Sequence, residues 1–378
     1  MRYRIEKDSI GEKQVPAEAY YGIQTLRGKE NFEITKRGIS RQMIKALSTI
    51  KKSAAIANSS CGYLDEEVSK AIQMSCDEII NGRLHGQFIT DLIQGGAGHS
   101  INMNANEVIA NRANEMMGGK KGVYNFVHPL DHVNLNQSTS DVIPTAGKIA
   151  IIRQTKKLLV ELKKLGNAIV LKSKEFELNN VGPTFEAFAV CLSRDIKRIE
   201  ASMESLYDLN MGAFGEDIDA KYGKKVVSCI AKFTGEPFKS PKNIFEATRN
   251  LDCFLSISNA LKVLSVNLSK MSYDLRLMAG DNLYSVAEIS LPKVQPGYSE
   301  ISEKSNTSIL EMVSQVAYFV IGMDTTISFA LESAQLDVNV NLPIILCSLF
   351  DSLNYIRRAA RTLKEKVFEG VEIIISNE

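Results

Sequence analysis

A very long helical pattern between Thr145 and Glu177 constrains the fold of this chain more than any other feature. Apolar residues recur through it mostly at spacings of three, four or seven, and after Gly166 neither glycine nor proline occurs until Gly182. The apolar positions are Ile149, Ile152, Leu158, Leu159, Leu162, Leu165, Ile169 and Val170. At a rise of about 1.5 Å per residue, the pattern predicts a helix roughly 45–50 Å long. An ordinary small domain does not need a helix of that length.

Further long helical patterns fill most of the remaining chain, whereas strand patterns are few. Helices are predicted at residues 187–209, 244–279, 308–336 and 342–368. Short strands are predicted at Tyr3–Ile5 and in the tail 370–376. The chain is therefore predicted to be all-α. Because several long helices with apolar stripes cannot all be covered within one thin bundle, we expect the remaining apolar faces to pack against other copies of the chain.

Composition and charge argue against several classes of partner. The 45 Lys and Arg residues balance 44 Asp and Glu residues, for a formal net charge of +1, so no global field favours nucleic acid or an anionic membrane. The longest apolar runs fall far short of the roughly 20 residues that span a bilayer. The N-terminus Met1–Asp8 is charged and lacks the apolar core of a secretory signal. We expect a cytoplasmic protein with no nucleic-acid or membrane partner.

The cysteine and histidine residues do not predict a metal site. Six cysteines are scattered, with no Cys-x-x-Cys pair and no histidine at metal-ligand spacing from them. His128 and His132 would suit a metal only if both lay on one helix face, and Pro129 and the polar context favour a turn. We therefore expect reduced thiols and no metal ligands.

A glycine-rich turn leads into an asparagine-rich helix start between Gln94 and Arg112. Such a turn presents backbone N–H groups and short polar side chains to an anion. Alternatively, the Asn side chains cap the helix and satisfy buried backbone groups, and composition alone favours this second interpretation.

Two further segments carry polar groups next to helices. The hydroxyls of Ser138, Thr139 and Ser140 precede the long helix, where they could cap it or bind a carboxylate with the positive end of the helix dipole behind them. The segment Ser269–Gly280 reads as an amphipathic helix that ends at a glycine, with Arg276 as a surface or inter-helix charge.

Taken together, these segments resemble the aspartase branch of the aspartase/fumarase superfamily over nearly the whole chain. The matching blocks follow in the family's order: Arg4–Asp8, Gly11–Lys13, Ala19–Thr25, Glu30–Phe32, Asn102–Arg112, Val142–Lys148, Leu275–Met278, Gln315–Val316, Ile321–Gly322 and Asp324–Thr326. The resemblance implies an all-α, aspartase/fumarase-like fold in which a long-helix bundle forms a multi-subunit helical core, commonly a homotetramer.

The resemblance also implies a division of the chain. We expect an N-terminal helical domain at 1–130, a central long-helix bundle that mediates oligomerisation at 131–368, and a short tail at 369–378. The chain ends at Glu378, before the small C-terminal helical domain that the family usually carries.

The family reaction is the anti-elimination of ammonia from L-aspartate, which gives fumarate without a redox or metal cofactor. Residues 297–306 resemble the family's catalytic loop, Gly-Ser-Ser-x-x-Pro-x-Lys-x-Asn, whose first Ser is the base. Ser299, Lys304 and Asn306 keep the family's spacing, whereas Tyr298 stands at the base position. The resemblance thus assigns Tyr298 or Ser299 to proton removal, and Lys304 and Asn306 to electrostatic stabilisation.

The resemblance assigns substrate binding to two places. Ser138 and Thr139 match family hydroxyls that bind the substrate carboxylate, and Ser140 stands where the family has Asn. The family's Gly-Thr-Ser-Thr turn reads Gly-His-Ser-Ile at 98–101, so His99 and Ser100 are the expected contacts. The isoleucine of this turn is expected to present an apolar surface to a carboxylate.

Two segments are shorter than in the family. The block that brings a Thr and a His or Gln to the substrate should lie between Phe176 and Ala187, where only Glu177–Glu186 remain. A second contraction falls at 214–217.

Three hypotheses stay open: an ammonia-lyase acting on a dicarboxylate or amino dicarboxylate; a lyase-fold enzyme with an altered substrate, which His99 and Tyr298 would contact; and a catalytically inactive paralogue. The paralogue would be a structural or ligand-binding subunit in homo-oligomers or in mixed oligomers with a full-length homologue.

Overall fold

The computed structural model describes residues 2–212, 220–280, 287–295 and 307–374. Most of these residues are helical. The helices are α1 (Ile23–Asn31), α2 (Arg41–Ser60), α3 (Glu66–Ile80), α4 (His99–Met116), α5 (Thr139–Glu175), α6 (Gly182–Ser202), α7 (Ala220–Thr234), α8 (Ile244–Arg249), α9 (Asp252–Met278), α10 (Ser308–Glu332) and α11 (Leu342–Leu363). Two antiparallel pairs of short strands join β1 (Tyr3–Lys7) to β2 (Glu12–Pro16) and β3 (Ile289–Ser290) to β4 (Glu372–Ile373). The predicted all-α class is confirmed.

The predicted long helix is present as α5, and it starts earlier than its apolar pattern does. Pro144 lies inside the helix and cannot donate the N–H that the carbonyl of Ser140 would normally accept. Instead, the Ser140 carbonyl accepts a hydrogen bond from Asn210 Nδ2 at 3.1 Å. A long-range partner therefore replaces the bond that proline removes, and the helix continues through Pro144.

The single helix predicted at 244–279 is wrong in one respect, because the structure divides it into α8 and α9. The backbone of Asn250 is extended, with φ −104° and ψ 101°, and this residue closes α8. Asn243 opens α8, and its Oδ1 accepts hydrogen bonds from the N–H groups of Phe245 and Glu246, both at 3.1 Å. Asparagine competes with helical backbone bonds in this way, which favours helix ends over helix interiors.

The chain forms two compact units, each assembled from three segments. The first unit comprises residues 1–152, 205–252 and 329–347, and the second comprises 153–204, 253–328 and 348–378. Since both units are discontinuous in sequence, they do not test the predicted domains 1–130, 131–368 and 369–378, which stay predictions.

The first unit is centred on α2. This helix packs against α3 and α7, and α4 packs against α1 and α3. Leu47, Ile50 and Ala54 of α2 are fully buried. The candidate functional residues of the next subsection lie on elements that pack around this core.

The second unit is held together by buried polar bonds between its long helices. Asp324 of α10 accepts a hydrogen bond from Ser258 Oγ at 2.7 Å and pairs with Lys262 at 2.5 Å, both on α9. Asp195 of α6 accepts a hydrogen bond from Asn267 Nδ2 of α9 at 2.9 Å. Within the part of the chain that the structure describes, no helix is both long and apolar enough to cross a membrane.

Candidate active site

The turn that precedes α4 has an unusual backbone conformation. Gly96, Ala97 and Gly98 have φ values of 71°, 56° and 88°, so three consecutive residues are left-handed. Ala97 is not a glycine, and holding it there costs on the order of 1–3 kcal/mol, a strain that occurs mostly at functional sites. Gln94 secures the turn, because its Oε1 accepts a hydrogen bond from the Ile101 N–H at 3.2 Å and its Nε2 donates to the Asp91 carbonyl at 2.7 Å.

His99 and Ser100, both predicted to contact the substrate, are the first residues of α4 and line a cavity of about 530 Å³. Arg27, Gly28 and Glu107 also line it. A Cβ atom added at Gly28 would lie 2.7 Å from Ser100 Oγ, so α1 packs directly against the Ser100 side chain. Burial lowers the pKa of His99 below its ordinary value. The imidazole is therefore favoured in its neutral form, which can both donate and accept a hydrogen bond.

Ile101 does not present its side chain to this cavity. It is only 4% exposed and packs in the core of the first unit, and it is not among the residues that line the cavity. Ile101 therefore lies outside the cavity that His99 and Ser100 line, and its expected place beside a substrate carboxylate stays a prediction. The helical periodicity explains the difference, because Ile101 points to another face of α4 than its two predecessors.

The asparagine run of α4 mostly satisfies buried backbone groups, as the second interpretation proposed. Asn104 accepts from the Ile89 N–H at 2.9 Å and donates to the Gln87 carbonyl at 2.9 Å. Asn114 binds backbone groups on both sides of Val127, accepting from its N–H at 3.2 Å and donating to its carbonyl at 2.5 Å. These side chains hydrogen-bond to the loops that surround α4. At these positions, the asparagines of the sequence therefore stabilise loops.

The hydroxyl run before the long helix caps α5. Ser138 Oγ accepts a hydrogen bond from the Ser140 N–H at 3.2 Å, and Asp141 Oδ2 accepts one from the Ser138 N–H at 3.4 Å. This reciprocal arrangement satisfies two backbone donors at the helix start. The Ser138 hydroxyl acts as an acceptor in its capping bond, so its own proton stays available to a ligand. The capping interpretation is confirmed for Ser138, and carboxylate binding by Ser138, Thr139 and Ser140 stays a prediction.

One asparagine connects the two candidate regions. Asn134 Oδ1 accepts hydrogen bonds from the Nδ2 groups of Asn102 at 3.0 Å and Asn106 at 3.2 Å, both on α4. Its own Nδ2 donates to the Gln137 carbonyl at 3.0 Å, directly before Ser138. The start of α4 and the start of α5 therefore share one hydrogen-bonded junction, although Ser138, Thr139 and Ser140 do not line the 530 Å³ cavity.

The sequence reasoning missed two residues of this junction, Asn134 and Lys51. Lys51 lies on α2 and donates from Nζ to Asn134 Oδ1 at 2.8 Å. It falls on the same apolar stripe as Leu47, Ile50 and Ala54. A lysine at an apolar position of a helix was the available signal, because lysine is almost never fully buried unless it is paired.

The histidine pair belongs to a single turn, in which His128 caps the π-helical segment Pro129–Val133 and His132 lies inside it. The Nδ1 atom of His132 accepts a hydrogen bond from the His128 N–H at 2.9 Å. The Nδ1 atom of His128 accepts one from the Asp131 N–H at 3.2 Å. Both rings therefore stabilise the turn through their Nδ1 atoms. Over the described ranges, no group of three or more His, Cys, Asp and Glu side chains is placed to hold a metal ion.

The predicted catalytic residues Tyr298, Ser299, Lys304 and Asn306 lie outside the described residues. On the helix that leads towards them, Arg276 of α9 lies 3.8 Å from Glu311 of α10 and stacks over Tyr273, with 5.8 Å between the guanidinium carbon and the ring centroid. The predicted inter-helix charge at Arg276 is therefore confirmed.

The shortened segment after α5 forms a tight connection to α6. A Cβ atom at Gly182 would lie 2.5 Å from the Phe176 carbonyl oxygen, so the backbone approaches itself closely there. The rings of Phe176 and Phe185 pack edge to face with centroids 5.1 Å apart. Residues 177–181 contain neither Thr nor His. Thr184, the one threonine of the shortened segment Glu177–Glu186, lies in the first turn of α6. The loss of the family's substrate-binding block from this segment stays a prediction.

Comparisons with known proteins agree with this architecture. A sequence profile of the family described as lyase matches residues 11–178 and 180–322. An aspartate ammonia-lyase from a Bacillus species is 43% identical over 387 residues, which cover 98% of this chain and 83% of the relative. The chain belongs to the aspartase/fumarase superfamily. A second relative from the superfamily, aspartate ammonia-lyase of Helicobacter pylori (strain J99), is 42% identical over 388 residues, covering 97% of this chain and 83% of the relative.

Solved structures show the superfamily fold directly. The crystal structure of a fumarate lyase:delta crystallin from Brucella melitensis has a TM-score of 0.95 at 38% identity, covering 98% of this chain and 85% of the other. A recombinant class II fumarase from Schistosoma mansoni has a TM-score of 0.93 at 27% identity, with the same coverage of 98% and 85%. The aspartase/fumarase-like fold expected from the matching sequence blocks is therefore confirmed.

Proposed function

We propose that this superfamily member removes ammonia from L-aspartate or a related amino dicarboxylate by anti-elimination, giving fumarate in the case of aspartate. One observation carries the proposal: relatives 42–43% identical over at least 97% of the chain are aspartate ammonia-lyases. Because the similarity extends over nearly the whole chain, we expect the same helices to position the same sequence blocks in this protein as in those relatives.

In this proposal, the start of α5 receives a substrate carboxylate. Ser138 and Thr139 stand at the N-terminus of a long helix, where backbone N–H groups and the positive end of the dipole favour an anion. The Ser138 O–H remains a donor while its oxygen caps the helix. Ser140, His99 and Ser100 supply the remaining polar contacts on the same junction of α4 and α5.

The chemistry is assigned to residues 297–306. A proton on the carbon next to a carboxylate is a weak acid, so its removal requires a base and stabilisation of the doubly charged intermediate. We assign the base to Tyr298 or Ser299, and the stabilising donors to Lys304 and Asn306. Preorganised donors aimed at developing charge are usually the largest single contribution to such a reaction. Tyr298 would need activation, because a phenol has an ordinary pKa of about 10.

A second candidate function is that of a catalytically inactive paralogue. Two observations favour it: Tyr298 occupies the position of the family's base, and the segment Glu177–Glu186 is too short to contain the family's substrate-binding block. The protein would then act as a structural or ligand-binding subunit, alone or together with a full-length homologue.

For either function we propose a homo-oligomer, a tetramer by analogy with the superfamily. The second unit exposes large apolar side chains along its long helices, which supports burial against other subunits. They are Val160, Val170, Leu171, Val190, Val266, Tyr273, Leu277, Tyr318 and Phe319.

Fumarate absorbs ultraviolet light, so its formation from L-aspartate tests the catalytic proposal directly. We expect saturable turnover in the wild-type protein and a loss on the order of a hundredfold or more in Lys304→Ala, the size of effect seen when one oxyanion donor is removed. Lys293→Ala is the matched control, because Lys293 is an exposed lysine outside residues 297–306. Its turnover should equal that of the wild type.

Absence of turnover by the wild-type protein would reject the catalytic proposal. Stable co-purification with a full-length homologue would then support the mixed oligomer. Equal turnover in Lys304→Ala and Lys293→Ala would instead contradict the role assigned to Lys304.

A further inference from the structure

Lys51 is a buried cation outside the residues that the superfamily resemblance assigns to the site. It lies on α2 with 0% of its surface exposed, and its Nζ donates to Asn134 Oδ1 at 2.8 Å. The adjacent Lys52 has a different environment, because it pairs with Asp77 at 2.7 Å and stacks over the Phe233 ring at 4.5 Å. Burying a charged amine is costly, so a lysine in this position requires a specific partner.

The partner of Lys51 is Asn134, which lies at the junction between the starts of α4 and α5. Asn134 Oδ1 receives three donors, namely Lys51 Nζ and the Nδ2 groups of Asn102 and Asn106. Among the residues that the structure describes, the buried Oδ1 atoms of Asn102 and Asn106 have no hydrogen-bond partner. Asn134 is therefore the long-range anchor of both side chains, beside a 3.5 Å bond from Asn106 Nδ2 to Met103 Sδ within α4, so the position of Asn134 matters to α4 as well as to α5.

Helix α2 holds the segment before α5 at a second point, seven residues further along. Asn58 Nδ2 donates to the Leu135 carbonyl at 3.0 Å, and Asn58 Oδ1 accepts from Asn136 Nδ2 at 2.9 Å. Asn134 Nδ2 continues the chain of bonds to the Gln137 carbonyl at 3.0 Å. The turn 134–137 is thus bound to α2 through its first three residues, and Ser138 follows it directly.

We propose that Lys51 is a positioning residue: its bond to Asn134 sets the turn that presents Ser138 and Thr139 at the start of α5. The consequence for substrate binding rests on the function proposed above, whereas the effect on the turn itself does not. Lys51 acts through Asn134 and does not contact the substrate.

The charge of Lys51 makes this role dependent on pH. Burial lowers the pKa of Lys51 from 10.5 to about 7, and nearby Cys76 and Asp141 oppose the shift. Burial raises the pKa of Cys76 on α3 and of Tyr222 on α7, so both stay neutral, and it lowers the pKa of His132 in the π-helical turn. The ammonium form predominates below about pH 7 and makes the stronger, charge-assisted bond to Asn134. As the pH rises, the neutral amine holds the turn less firmly.

The pH dependence of overall stability has the opposite sign to that of the Lys51–Asn134 bond. Because the folded pKa of Lys51 lies below the unfolded one, the unfolded chain binds more protons between about pH 7 and 10.5. The free energy of unfolding therefore rises with pH through this window. Replacing Lys51 with Met removes the buried charge, and Asn134 Oδ1 keeps two donors. We therefore expect Lys51→Met to unfold no more easily than the wild type, while its turn loosens.

Hydrogen exchange of the full chain, measured by mass spectrometry on a peptide covering 134–141, tests the proposal. In Lys51→Met we expect exchange there to quicken roughly tenfold, as loss of one hydrogen bond to a charged group predicts. Lys52→Met is the matched control and should leave that peptide unchanged. Lys51→Arg, which retains a cation, should restore part of the protection if it folds.

A second measurement uses only the wild-type protein, so the test does not depend on any variant folding. Protection of 134–141, corrected for the intrinsic pH dependence of exchange, should fall between about pH 6 and pH 8.5, a window that spans the Lys51 pKa of about 7. Unchanged protection across this window, or equal exchange in Lys51→Met and Lys52→Met, would overturn the proposal. Turnover is a separate readout: its absence from the wild type counts against the proposed function, while exchange at 134–141 still decides the role of Lys51.

Discussion

Helices α4 and α10 place opposite kinds of side chain in opposite environments. The five asparagines of α4 are at most 1% exposed, whereas Tyr318 and Phe319 of α10 are 54% and 39% exposed. On α4 the buried amides bind loops, other side chains and the backbone within the same chain. On α10 the exposed rings have only limited cover from their own chain.

The two helices are completed by different kinds of partner surface. A buried amide is stable only when it is hydrogen-bonded, so α4 has to be completed by loops of its own unit. An exposed apolar patch gains free energy from any surface that removes it from water, so α10 can be completed by another copy. Hydrogen bonds within the chain organise the start of α4, whereas the rings of α10 stay exposed in the single chain.

The largest change is expected from Glu107→Ala, which tests the buried polar bonds of α4. Glu107 is 2% exposed, and its carboxylate accepts hydrogen bonds from the N–H groups of Gly22, Gln24 and Thr25 and from the Thr25 hydroxyl, at 2.5–3.0 Å. It thereby caps α1, whose own N-cap is a glycine with no side chain. Removing it leaves several buried donors unsatisfied, and we expect the free energy of unfolding to fall by about 3–5 kcal/mol.

Denaturant titration measures this loss. The control is Glu66→Ala, because Glu66 is an exposed residue of α3 that pairs with Lys70 one helical turn away. Exposed pairs of that kind contribute about 0.3–0.5 kcal/mol. Similar midpoints for the two variants would show that α4 does not depend on its buried polar bonds, and the contrast with α10 would fail.

The double variant Tyr318→Asp and Phe319→Asp tests the exposed apolar rings of α10. Charges on an apolar interface should weaken self-association by roughly a hundredfold, the effect expected from losing two aromatic contacts. Light scattering at several protein concentrations would show the dissociation. Leu178→Asp is the control, because Leu178 is 99% exposed but lies in a turn and not on a helix face. Unchanged mass in the double variant would mean that α10 is not an assembly surface.

The smallest expected effect comes from Gly28→Ala, which tests how closely α1 supports the candidate site. The new methyl group would meet Ser100 Oγ at 2.7 Å and force it to move. We expect a loss of about 1–2 kcal/mol in unfolding free energy, together with weaker dicarboxylate binding in calorimetry. Gly86→Ala is the matched control, since a Cβ atom there has nothing within 4 Å. Equal affinity in both variants would separate Ser100 from ligand binding.

Much of the fold could be predicted because its signals are local. The period of the apolar residues predicted α5, α10 and α11, and the strand at Tyr3–Ile5 was confirmed within β1. The short strands β2 and β3 were not predicted, because their few residues carry no clear alternation. The break between α8 and α9 was missed, since the apolar pattern continues through Asn250 while the backbone does not.

The candidate site was predicted less completely, because its organisation depends on contacts that are distant in sequence. His99 and Ser138 were recognised from their neighbours in the chain. Asn134 and Lys51 were not recognised, because their 83-residue separation gives no local pattern. The burial of Ile101 was not predicted for a related reason: sequence places it next to Ser100, and the helix turns its side chain into the core.

The family, the all-α class and the long apolar helices could be read from the chain alone, because periodicity and motif order are properties of neighbouring residues. Only the tertiary structure decided which polar residues meet. In the fold, Lys51 donates a hydrogen bond to Asn134, and the starts of α4 and α5 meet at one hydrogen-bonded junction. The physical reason is that a buried charge or amide must find its partner wherever the fold brings one within hydrogen-bond distance.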